Sequence, residues 1–163
     1  MGYRALLEAD SETVQDLVLS ASRRLAEAMT LYLDGKYHTA IYIAGLSAEM
    51  YLKTSCYFVG GAIPATPTDT LFQQLRPKRY KPPFPEKFES GHNLWFWYEE
   101  LLHRRKRRGH RGVPRLLRQV IAAICTNWYI GMRYRPGMAV ERDAERFLSQ
   151  VEWLAANHVH LRS

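Results

Sequence analysis

The sequence predicts an all-α fold, an up-and-down bundle of four to five helices with a long Pro-rich loop between the second and third. Three observations predict it. Apolar residues recur at three-and-four spacing in five separate stretches. Gly, Pro and Asp-Gly punctuate those stretches where helices stop. No run of useful strand length alternates apolar with polar residues.

The first helix is expected from Glu12 to about Leu33, capped by Asp10 or Ser11. Its inward set is Val14, Leu17, Val18, Ala21, Leu25, Ala28, Met29 and Leu33. Asp34-Gly35 suits a left-handed stop. The second, Tyr37 to Val59, is apolar almost all round, which belongs at the centre of a bundle. Gly45 within it costs about 1 kcal/mol of helix propensity, a cost that close approach by a neighbouring helix would explain. Gly60-Gly61 ends it. Residues 62–89 hold six prolines, from Pro64 to Pro85, and read as a long loop with one short helix near Leu71 to Leu75. Such a loop is a lid or an insertion. The third helix is expected from Gly91-His92-Asn93 to Arg108, and the fourth from Pro114 to about Tyr134, before Pro136-Gly137. The fifth spans Glu141 to Asn157 with Ala144, Phe147, Leu148, Val151 and Leu154 inward.

The 163 residues point to one domain, 1–163, with 62–89 as its insertion. The net charge of +7 is local. Eight of the 23 Lys and Arg fall between Arg104 and Arg118, which contains no acidic residue; the other 15 balance 16 Asp and Glu. A local basic stripe points to an anionic partner. Cys56 and Cys125 sit in apolar helical patterns and read as buried thiols, so a cytoplasmic location is expected. The first residues have neither the apolar stretch nor the cleavage site of a signal peptide. The longest apolar stretch, Ala40 to Leu52, is shorter than the roughly 20 residues a membrane span needs. No metal and no cofactor are expected.

Several residues could carry chemistry. Glu49 is a carboxylate on a segment built to be buried, and burial requires a partner. Lys53 has the spacing for an ion pair along the helix. The pair is either a structural brace or the polar part of a binding site. Arg133, followed by Tyr134, could reach that carboxylate or satisfy the last carbonyls of its own helix. His92, at the start of the third helix, could bond the loop, pack, or join the site. Arg104, Arg105, Lys106, Arg107, Arg108 and Arg111 form a run tolerated if solvated or if it meets phosphates. Trp95, Phe96, Trp97 and Tyr98, just before it, either stack on unpaired bases or fill the core.

Four segments together resemble the HEPN domain family: Gly35-Lys36-Tyr37-His38-Thr39-Ala40, Ala44-Gly45-Leu46-Ser47-Ala48-Glu49-Met50-Tyr51-Leu52-Lys53, Gly91-His92-Asn93-Leu94, and Trp128-Tyr129-Ile130-Gly131-Met132-Arg133-Tyr134. The resemblance spans about residues 8 to 156. It implies a helical bundle and commonly a homodimer. Many HEPN proteins are metal-independent ribonucleases of toxin–antitoxin, CRISPR-linked or phage-defence systems. Others are non-catalytic, and some pair with a small nucleotidyltransferase protein. The ribonucleases use an Arg and a His four to six residues apart. Here no His follows Arg133 at that distance. Arg104 or Arg105 with His110 matches the spacing, although Gly109 interrupts the helix between them. The departure favours a non-catalytic component that binds RNA or a nucleotide. A homodimeric endoribonuclease and an interaction module for an acidic protein are the alternatives.

Overall fold

The computed structural model describes residues 12–74, 92–110, 112–134, 137 and 139–162; of 72–74, 133 and 134 it describes the backbone alone. The fold is an all-α helical bundle. Its elements are α1 (Val14–Leu33), α2 (Tyr37–Val59), the short α3 (Thr68–Gln74), α4 (Leu94–Arg107), α5 (Arg115–Asn127), a 3-10 turn (Ile130–Tyr134) and α6 (Glu141–Asn157). Among the described residues there is no strand, only an isolated bridge between Thr13 and Pro67. No described helix is long and apolar enough to cross a membrane.

α2 lies at the centre, against α1, α4, α6 and the 3-10 turn. Its all-round apolar character is what allows this, because most of its circumference meets protein, with Ile43, Leu46 and Met50 half-buried on the remaining side. α1 and α2 are joined by Asp34, Gly35 and Lys36, and Gly35 takes φ +73°, where a side chain would be strained. The two helices run together along faces of small residues: Ala21 and Ala28 on α1, Ala40, Ala44, Ser47 and Ala48 on α2, all fully buried. Ser47 donates its hydroxyl to Ala21 O across the contact at 2.7 Å. α6 contributes the stripe Ala144, Phe147, Leu148, Val151 and Leu154, each 3% exposed or less. Burying each of its larger side chains stabilises by about 1.5–3 kcal/mol.

Two boundaries differ from the sequence expectation. α1 is capped by Thr13 rather than Asp10 or Ser11: Thr13 Oγ1 accepts from Asp16 N, and Asp16 Oδ2 accepts from Thr13 N. α5 stops at Asn127, not near Tyr134. Trp128 turns extended, at φ −132° and ψ 137°, and the chain resumes as a 3-10 turn. The reason is tertiary. The fully buried Trp128 indole lies on Gly45 and donates Nε1–H to Tyr42 O at 3.0 Å. A Cβ on Gly45 would stand 2.0 Å from Trp128 Nε1. The expected close approach is thus made by a side chain, not by a helix backbone.

The first half of the Pro-rich segment is pinned. Thr66 O and Pro64 O accept from Val14 N and Gln15 N, at 3.0 and 2.9 Å, and Thr68 N donates to Glu12 O at 2.8 Å. The segment thereby satisfies amide donors that the first turn of α1 leaves open. The expected helix near Leu71 is α3. The rest of the segment, residues 75–91, lies outside the described residues.

Candidate functional site

One seam, where α2 meets the start of α4, gathers three of the residues singled out from the sequence. On α2 the face is Glu49, Lys53, Cys56 and Gly60, spaced four, three and four apart, so one side of the helix presents them in a row. Facing it, α4 begins at Leu94 behind Asn93, whose Oδ1 accepts from Phe96 N at 3.0 Å. That cap fixes the chain direction at His92, the residue immediately before it.

Glu49 is 4% exposed, and both its oxygens have partners. Oε1 accepts from Lys53 Nζ, one turn on. Oε2 accepts from His92 Nδ1 at 3.0 Å. The carboxylate therefore selects the Nδ1–H tautomer of His92 and faces the ring outward, 40% exposed. The Lys53 ammonium also lies 5.3 Å from the centre of the Trp97 ring. Burying the carboxylate carries a desolvation cost that its two partners offset, whereas stripping one partner is expensive. The sequence expectation of a Glu49–Lys53 pair holds, and the structure adds His92 to it. Arg133 and Tyr134 have backbone in the 3-10 turn, but their side chains, and so the expected reach from Arg133 to Glu49, lie outside the described residues.

Farther down the seam the basic run divides. Arg104 pairs with Glu100 (Nε to Oε1, 2.6 Å) and donates Nη1–H to Cys56 O at 3.1 Å. Arg108 donates Nη2–H to Gly60 O at 2.9 Å. Arg105 is 6% exposed, and its guanidinium donates to Leu161 O at 2.7 Å and Gly112 O at 3.3 Å. These arginines hold the end of α2, the α4–α5 loop and the C-terminal turn. Arg105 is thus engaged by protein carbonyls, and it lines one shallow pocket together with His110. His110 is half-buried beside Lys106 and Val113, in that pocket of about 380 Å³. Lys106 and Arg107 are exposed, as are Arg115 and Arg118 on α5; Arg111 lies outside the described residues.

The aromatic group resolves towards the core. Trp95 is 9% exposed, Trp97 0% and Tyr98 4%, and half-buried Phe96 sets its edge against Trp97 at 5.3 Å. A row of rings offered to bases is not what the fold makes of them. Both cysteines are free and buried. Burial pushes both thiols up, Cys125 to about 12. Cys56 donates its S–H to Trp97 O at 3.1 Å. Among the described residues no three His, Cys, Asp or Glu side chains gather as a metal set would.

Sequence reasoning missed a groove on the opposite end of α2. His38 and Ile41 meet Tyr129, Met132 and α6 around a cavity of about 540 Å³. Its signal was present: Asp143, Arg146, Phe147 and Gln150 share the i, i+3, i+4, i+7 spacing of one helix face, with three polar residues on an otherwise apolar stripe. No family model, no curated protein and no solved structure matches the chain.

Proposed function

We propose that this chain is a HEPN-like, non-catalytic protein that binds RNA or a nucleotide, as a homodimer in the cytoplasm, within a toxin–antitoxin or phage-defence system. The observation that carries the reading is the start of α5. Arg115 and Arg118 stand on its first turn, exposed, where the helix dipole is positive. The N-cap, Pro114, supplies no side-chain acceptor. Cations at an uncapped helix N-terminus oppose folding by a few tenths to about 1 kcal/mol, and a bound anion reverses the sign. Lys106 and Arg107, exposed just before the loop, extend the same positive ground. The arginines used as structural braces are left out of this set.

The test is a filter-binding titration of single-stranded RNA between about 50 and 300 mM salt. Four cations meeting phosphates give a slope of log affinity on log salt near −2.8 (about −0.7 each). Replacing Lys106, Arg107, Arg115 and Arg118 by Gln should flatten that slope at unchanged thermal stability. No binding, or binding indifferent to salt, refutes the reading. Co-purification with a stoichiometric acidic protein, free of nucleic acid, would instead favour an interaction module.

A further inference from the structure

The groove of about 540 Å³ at the N-terminal end of α2 falls in the size range of small-molecule sites. Its floor is apolar: Ile41, Met132 and Phe147 are 4, 8 and 1% exposed. Its α6 wall carries two opposite charges, Asp143 and Arg146, three residues apart and hence neighbours on the helix surface. Both are exposed at the rim, and they make no ion pair with each other. Asp143 Oδ2 instead accepts from Val140 N at 3.2 Å, capping α6, and among the described residues the Arg146 guanidinium has no partner. On the same face, Gln150 Oε1 is buried without a hydrogen-bond partner among the described residues. A desolvated, unpaired carbonyl is a standing cost, and rotation about the soft terminal torsion of Gln can turn it to a ligand donor.

A simple anion would meet the Asp143 carboxylate, and a simple cation would meet Arg146. A ligand carrying both charges close together, on an apolar body, satisfies all three features. We propose that this groove binds a free α-amino acid with an apolar side chain. Asp143 receives the ammonium, Arg146 the carboxylate, and Ile41, Met132 and Phe147 the side chain. His38 closes one edge, held there by its Nε2–H donated to Met132 O at 3.2 Å. The site is independent of the RNA reading and lies on different residues.

Two-dimensional amide NMR of the whole chain, titrated with L-leucine, L-methionine and L-phenylalanine, tests it. Saturable shifts are expected at His38 and along residues 139–150 for at least one of the three. N-acetylation, carboxamide formation, Asp143→Asn and Arg146→Gln should each weaken binding about tenfold to a hundredfold, the range of a lost charged hydrogen bond. Asp143→Asn keeps an acceptor for Val140 N, so the helix cap survives. RNA binding should be unchanged in Arg146→Gln. Absence of saturable shifts with all three amino acids overturns the proposal. So does a derivative lacking either charge that binds as well as its parent.

Discussion

Gly45→Ala offers the sharpest test of the packing. In an open helix interior alanine is about 1 kcal/mol better than glycine. Here the added methyl would stand 2.0 Å from Trp128 Nε1 and 2.1 Å from its Cδ1. The indole is fully buried, so it cannot swing to solvent without leaving a hole. Overpacking of a tight core costs typically ~1–3 kcal/mol. Displacing the ring also breaks the 3.0 Å bond to Tyr42 O and strands a buried N–H, at ~1–3 kcal/mol. After the propensity gain is subtracted, the net loss is about 3 kcal/mol, or a fall of about 6–12 °C in Tm. Urea denaturation followed by far-ultraviolet circular dichroism measures it. Trp128→Ala removes both the N–H and the clashing ring, so the double variant should be less destabilised than the sum of the singles by ~1 kcal/mol or more. A Gly45→Ala protein as stable as the parent would refute the Trp128 placement and with it the reason given for the end of α5.

Three further outcomes follow from the seam and the C-terminal turn. Lys53→Met should cost about 3 kcal/mol, the low end for a buried carboxylate losing a partner because His92 still covers one oxygen, whereas His92→Ala, at a 40% exposed ring, should cost about 1 kcal/mol; equal losses would contradict the unequal burial. Arg105→Lys should lose about 2 kcal/mol and speed amide exchange of Leu161 and Arg162, because an ammonium cannot reproduce the forked contact with Leu161 O and Gly112 O. His158 is held below its ordinary value of about 6.5, first by burial and then by Arg162, against the opposing pull of Ala155 O. Its contribution to stability is complete above pH 6.5 and is lost as pH falls through the depressed folded value, so His158→Gln should flatten the stability profile over that window.

α2 and α6 were readable to the residue, because an all-round apolar helix and a single apolar stripe both announce themselves in local spacing. The end of α5 was not. Nothing in Thr126-Asn127-Trp128 disfavours another helical turn; the turn is lost because an indole 83 residues after Gly45 fits onto it. The cap of α1 was legible as Thr13-Val14-Gln15-Asp16 but was expected two or three residues too early. Within the candidate site, the i, i+4 pair of Glu49 and Lys53 was legible, while its contact with His92 depends on how α4 docks. The basic run misleads for the same reason. Charge count alone does not separate Arg105, bonded to backbone carbonyls, from Lys106 beside it, which faces solvent.

The reach of Arg104 and Arg108 across to Cys56 O and Gly60 O bears on the order in which the chain folds. α2 has no basic residue in its own last turn, so although Gly60 N, Gly61 N and Ala62 N close the carbonyls of Cys56, Phe58 and Tyr57 locally, the negative end of its dipole is met by cations 48 residues away. That charge compensation therefore comes late. It must wait for closure of the intervening loop, an entropic toll that rises only slowly with loop length. A nascent or truncated chain ending near Ala62 carries α2 with its negative end uncompensated, and slower hydrogen exchange at Phe58 to Gly60 would report when α4 arrives.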